Sequence, residues 1–227
     1  MTTPALPIVE PAGPGDARVL AEVIADAFGG LAVSQWLVPD LAARSAILPG
    51  YFALHVEHAL SSGLVLTTPE RDAVALWLRV PAGGPGEPPA WYHQRVAALA
   101  GQHLARFQAL DHALDQHHPT GAAHEHLAIL AVRPGRQRLG IGGALLAARH
   151  EVLDQNQVPA YLEASDAEKA AIYRARGYAD LAPPIRLPDG PPMYPMWRQP
   201  SDVTRSVTAR VPHELRSCSA ESAQERR

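Results

Sequence analysis

The chain has one cysteine, Cys218, among 227 residues, which excludes a disulfide framework and a thiolate metal cage. It has no excess of one charge either. Twenty Lys and Arg stand against 23 Asp and Glu, a formal net charge of -3, too weak a positive field to hold nucleic acid by neutralising phosphates. Long apolar runs are missing. No stretch is long enough to span a bilayer, and Met1 to Glu10 has neither the positive start nor the apolar run of a secretory signal. The expectation is a cytoplasmic protein with no nucleic-acid or membrane partner, as a monomer or homodimer, and with no resident metal.

What is present is an ordinary globular composition, 47% apolar and 19% charged, punctuated by 22 prolines and 17 glycines. It reads as one domain over residues 1–198, followed by a polar tail at 199–227 expected to be disordered. After an extended piece at Ile8-Val9, Asp16 is placed to cap a helix running to Phe28. A helical region from Leu41 to Leu60 is expected to break at Pro49-Gly50. Gly63 to Thr68 and Ala73 to Val80 read as a hairpin, and Ala90 to Gln116 as one long helix. The second half alternates: strand His126 to Val132, helix Leu139 to Gln155, strand Ala160 to Ala164, helix Ala167 to Arg176. Tyr178 to Ala182 and Met193 to Arg198 supply two last strands across the Pro-rich 183–192. The class is α/β.

Chemistry concentrates between Val132 and Leu146. Pro134 ends a strand, Gly135, Gly140, Gly142 and Gly143 let a backbone approach a ligand closely, and the segment runs into a helix start whose free N–H groups favour an anion. Arg133, Arg136 and Arg138 add positive charge. Two familiar phosphate cradles do not fit. Ile141 and Gly142 stand where a P-loop needs Lys and Ser or Thr, and Leu145 stands where a dinucleotide fingerprint needs its third glycine.

Val132-Arg-Pro followed by Gln137-Arg-Leu-Gly140-Ile-Gly142 resembles the Gln/Arg-x-x-Gly-x-Gly/Ala signature of the GCN5-related N-acetyltransferases. Tyr161-Leu-Glu-Ala-Ser165 and Ile172-Tyr-Arg-Ala-Arg-Gly-Tyr178 resemble that family's next strand and its closing tyrosine motif. Val38 to Arg44, Ala73 to Trp77 and Pro159 to Ser165 look like segments of its puromycin N-acetyltransferase branch. The resemblance implies a mixed, mainly antiparallel sheet, splayed at the strand Leu127 to Val132, with helices on both faces. It implies acetyl-CoA as acyl donor and a small-molecule amine as acceptor, in the branch an antibiotic. The pyrophosphate would be met by Gln137, Arg138, Leu139, Gly140, Ile141, Gly142 and Gly143. The acyl end would be met by backbone at Leu130, Ala131 and Val132, with Arg133 beside it. Lys169 stands where the branch often has asparagine, and there it faces the pantetheine arm or a phosphate.

Acyl transfer from a thioester to an amine needs a base, a stabilised oxyanion and a proton for the leaving thiolate. Tyr173 resembles the family tyrosine near the sulfur and is the candidate acid. His126 and Glu163, on neighbouring strands, are both candidates for the base, with ordered water as a third. Direct transfer in a ternary complex is expected, since the only cysteine lies in the tail. A protein or peptide amine as acceptor, or a CoA-binding module without catalysis, are the other readings. Trp36, Trp77, Trp91 and Tyr92 line an acceptor pocket or belong to the core.

Overall fold

The computed structural model describes residues 7–201. Its elements in chain order are β1 (Glu10–Pro11), α1 (Ala17–Phe28), α2 (Ala32–Leu37), α3 (Leu41–Ser62), β2 (Gly63–Thr67), β3 (Ala73–Val80), α4 (Tyr92–Ala100) and α5 (Leu104–His117). They continue with β4 (His124–Val132), α6 (Ile141–Gln155), β5 (Ala160–Ala164), α7 (Ala167–Arg174), β6 (Ala179–Asp180), β7 (Ile185–Arg186) and β8 (Pro192–Arg198). The sheet order is β1-β2-β3-β4-β5-β8-β6, with β7 paired to β8. All pairings are antiparallel except β4 with β5.

Side chains alternate across the strands and so build two cores. Val74 and Leu76 of β3 face one core, where Leu20, Val23 and Ile24 of α1 join Leu48 and Leu54 of α3 and Phe107 of α5. Ala73, Ala75 and Trp77 face the other, against Ile141, Leu145 and Leu146 of α6. The result is the expected α/β architecture, a mostly antiparallel sheet with helices on both faces. No helix among the described residues is long and apolar enough to cross a membrane.

The feature that positions the site is the β4–β5 seam. These parallel strands pair only at Glu125 with Ala160 and His126 with Tyr161. Beyond that point β4 stays on β3 and β5 stays on β8, so a wedge opens between them. The register on β3 runs from Trp77 opposite Leu127 to Leu76 opposite Ile129, leaving Ala128 as an extra residue. An extra residue bends a strand and increases its twist, which turns the end of β4 away from β5.

Several local expectations fail for identifiable reasons. Asp16 does not cap α1: its carboxylate accepts Gly13 N–H at 2.9 Å and pairs with Arg71 at 2.9 Å, at the end of a 3-10 turn. α3 passes through Pro49 unbroken, because Leu48, Tyr51 and Phe52 around it are buried in the first core, and that packing outweighs one lost hydrogen bond. The long helix after Ala90 is two helices, separated by a 3-10 turn at Gly101–His103 in which Gly101 takes φ of 51°. The Pro-rich stretch after Ala182 contains β7. β4 begins two residues earlier than expected, at His124. The polar tail lies outside the described residues beyond Ser201, and Cys218 with it.

Glu125 of β4 and Arg149 of α6 form a bidentate ion pair, with Nε to Oε2 at 2.8 Å and the carboxylate almost wholly buried. It ties the fork of the sheet to the helix that begins at the glycine loop. Arg149→Met should therefore cost about 3 kcal/mol in denaturant unfolding, because it strands a buried charge. The double change Glu125→Leu with Arg149→Met should recover most of that loss. A single-variant loss below about 1 kcal/mol would show that the pair does not hold the two elements together.

Candidate active site

Both base candidates sit where β4 and β5 part, and they touch. His126 Nε2 lies 2.8 Å from Glu163 Oε2. Because a carboxylate accepts, the ring donates from Nε2, and Nδ1 of a neutral His126 is left with a lone pair. His126 is on β4 and Glu163 on β5, on the sheet face opposite α6, where His124 and Tyr161 also point. The Glu163 side chain is only 6% exposed. Burial works to raise its carboxyl, but the charge and hydrogen bond of His126 hold it below the ordinary range.

His118, at the end of α5, completes the surround. Its Nδ1 stands 4.0 Å from Glu163 Oε1, and its Nε2 lies 3.0 Å from His124 Nε2. His124 Nδ1 faces the Ala122 carbonyl at 2.8 Å and so carries its proton. The neutral His124 therefore accepts at Nε2, and His118 donates there. That leaves His118 Nδ1 as an acceptor opposite a carboxylate oxygen, and Glu163 Oε1 has no hydrogen-bond partner among the described residues; nor does the buried Tyr161 hydroxyl two residues along the same face of β5. Burial, then the nearby His126, pushes His118 down to about 4, so at neutral pH it does not neutralise Glu163. No group of three or more His, Cys, Asp or Glu among the described residues is disposed to hold a metal ion.

The glycine loop lies past the other end of β4. Gly135 and Gly140 take φ of 83° and 81°, and Arg138 takes 63°. Gly140 caps α6 in the left-handed conformation with no side-chain cap, so the first N–H groups of the helix meet no side chain. A Cβ at Gly135 or Gly140 would find nothing within 4 Å. The loop is fixed from behind: Gln137 Nε2 donates to the Val132 carbonyl at 3.1 Å and Arg136 binds Asp72 at 2.7 Å. Arg133 stands 3.6 Å from Asp26. Arg138 has no ion-pair partner among the described residues. Leu139 is exposed and Ile141 is buried in the α6 core, while Leu130, Ala131 and Val132 form the splayed end of β4.

Tyr173, on α7, is half-buried and packs edge-on against Tyr178 with ring centres 5.7 Å apart. Burial raises its phenol above the usual value, which keeps the proton on the oxygen. Lys169, the chain's only lysine, lies one turn earlier, its N–H bonded to the helix-capping Asp166 at 2.7 Å. Trp77 is core, whereas Trp36 bonds the Pro188 carbonyl at 3.0 Å. Four contributors were given no role from the sequence: His118, His55 on α3, Asp111 on α5, and Arg176, whose guanidinium donates to the Gly143 carbonyl at 3.3 Å. Only the crowding of His117, His118, His124 and His126 in the sequence hinted at the first.

The lowered Glu163 carboxyl fixes a pH dependence of stability. A depressed acid contributes stability above its unfolded pKa, near 4.5, and loses it as pH falls through the lower folded value. Glu163→Gln should therefore lose stability less steeply than the parent below that pH in urea titrations. Parallel acid limbs would mean that the carboxylate is not held ionised by its imidazoles.

No protein-family model matches the chain. Solved structures do. The histone acetyltransferase HPA2 and related acetyltransferase of Corynebacterium glutamicum is 25% identical, over 87% of this chain and 98% of that one, with a TM-score of 0.66. A GCN5-related N-acetyltransferase of Rhodopseudomonas palustris is 14% identical over 88% and 99%, with a TM-score of 0.51. Arylalkylamine N-acetyltransferase 2 of Aedes aegypti is 10% identical over 86% and 99%, with a TM-score of 0.54. The chain thus has the fold of the GCN5-related N-acetyltransferases, and the solved structures that share it support a transferase of that type.

Proposed function

We propose that the protein moves an acetyl group from acetyl-CoA to the amine of a small molecule, by direct transfer between the two bound substrates. The observation that carries this reading is the hydrogen-bonded His126–Glu163 pair at the point where β4 and β5 diverge, in line with an uncapped helix start beyond the end of β4. The loop suits a pyrophosphate: Gly135 and Gly140 leave open space where side chains would stand, and its helix presents N–H donors. Gln137, Arg138, Leu139, Gly140, Ile141, Gly142 and Gly143 would hold that group mainly through the backbone, with Lys169 and Arg176 as nearby cations. When bound, acetyl-CoA supplies an activated acyl group with a thiolate as leaving group.

The chain's own groups divide the remaining work. His126 Nδ1 takes the proton from the attacking amine, and Glu163, bonded to Nε2, stabilises the imidazolium that results. Backbone N–H groups at Leu130 to Val132, freed from pairing with β5, meet the negative charge that grows on the carbonyl oxygen. Tyr173 gives its proton to the departing sulfur; burial raises its phenol, so the proton stays on the oxygen until the thiolate forms. A small acceptor is preferred over a polypeptide because the His126 side chain is only 16% exposed and lies beneath α3 and α5. The segments similar to the puromycin N-acetyltransferase branch make an antibiotic amine one candidate. The intact acid and base pairing disfavours a CoA-binding module without catalysis.

Acetyl-CoA, bound only by the native state, should raise the melting temperature in a concentration-dependent way. No shift at saturation would sink the donor assignment. With an accepted amine, Tyr173→Phe should lower kcat by roughly 10²–10⁴-fold while leaving the acetyl-CoA shift in place. Unchanged turnover in a thiol-release assay would remove Tyr173 from the acid role.

A further inference from the structure

The helices over the His126 face carry a second polar cluster. Asp111 of α5 is half-buried and forms no ion pair among the described residues. Its Oδ1 accepts the Tyr92 hydroxyl at 3.2 Å, and no described hydrogen bond uses Oδ2. The Tyr92 ring lies 5.9 Å from that of His55, which lies 4.7 Å from Tyr51. His55 Nε2 is shut off from water and has no partner. Burial raises the Asp111 carboxyl to about 6, opposed by the Tyr92 bond and then by His93, and burial with His58 and His126 beside it lowers His55 to about 4. An unmatched carboxylate, the faces of two tyrosines and an orphaned neutral imidazole are together a receptor for a cation.

The cluster has a fixed relation to the base. Asp111 lies in α5 and His118 follows its last residue, seven positions on, so about 10 Å of helix rise separates their backbones. His118 in turn stands 4.0 Å from the Glu163 carboxylate. His55 lies between, near enough to His126 for the two charges to oppose each other.

We infer that this cluster is the distal half of the acceptor site: Asp111, with Tyr92, Tyr51 and His55, binds a second ammonium or guanidinium group of an acceptor whose reacting amine meets His126. The acceptor is then a diamine or similar dication, long enough to reach from Asp111 past His118 to His126. Only the reacting end of this inference rests on the acetyl-transfer reading. The cation site at Asp111 stands on the cluster itself.

The two claims separate in one set of measurements on the full chain. Calorimetric titration compares a long terminal diamine, its nitrogens more than about 10 Å apart, with the monoamine of equal chain length. The diamine should bind about 10- to 100-fold more tightly, the worth of one charge-assisted hydrogen bond. Asp111→Asn should abolish that preference and Tyr92→Phe should narrow it, with the acetyl-CoA melting shift kept in both. Equal binding of the two amines by the parent protein, which needs no variant, overturns the inference; so does a preference that survives both substitutions. A diamine preference without acetylated product leaves the cation site standing and removes the acetyl-transfer reading instead.

Discussion

The site depends on two strands that pair for two residues and then stop. Full pairing of β4 with β5 would satisfy both edges and close the gap in which an acyl group could reach an amine. The extra residue at Ala128 prevents that closure, and the sheet tolerates it because each strand has its other edge secured. β4 is paired with β3 along its whole length, and β5 with β8 from Ala160 to Ala164. The unpaired backbone is thus confined to one wedge. His126 is the last paired residue of β4, so its side chain is held by the ladder while standing at the mouth of the opening. Glu163 is two residues past the last pair on β5, free of β4 yet still fixed by β8.

Burying a carboxylate there raises an electrostatic problem. An ionised Glu163 with almost no exposure would be costly without charge or hydrogen bonds to meet it. One oxygen is met by His126, and the other is approached only by His118 Nδ1 and shares a face of β5 with the Tyr161 hydroxyl. The chain from Ala122 through His124 to His118 fixes which nitrogens carry protons, and it leaves His118 with a lone pair toward the acid. Glu163 is therefore better served when His126 is positively charged than when it is neutral. The same asymmetry is what the proposed base role would use: once His126 held a second proton, the buried carboxylate would have its partner.

The glycine loop was legible in the sequence and the cluster of side chains beside His126 was not, for a physical reason. The loop is backbone. Glycines at 135, 140, 142 and 143 stand wherever a side chain would obstruct or a left-handed turn is needed, and such positions leave a local pattern that spacing reveals. The base pair was half-legible, since His126 and Glu163 could be placed on adjacent strands, but alternation could not show that they bond. His118, Asp111 and His55 come from helices far apart in the chain and meet only through packing. Helix boundaries failed at Pro49 and Gly101 for related reasons. Burial of Leu48, Tyr51 and Phe52 overrode a proline, and a left-handed glycine split a periodic apolar pattern that looked continuous.

The two cores follow the same division. The face with α6 holds Trp77, Leu145 and Leu146, and through Arg149 and Glu125 it fixes the loop against the fork. Nothing there would vary with the acceptor, because a pyrophosphate would be met by main chain, whose geometry any apolar core can support. The face with α1 to α5 carries the imidazoles, the tyrosines and Asp111, groups whose identity decides what amine can sit beside them. A change in α4 or α5 would then alter the acceptor without disturbing the donor loop, since the sheet lies between them. The wedge between β4 and β5 opens between those two halves, and in the proposed reaction the bond transferred would lie there.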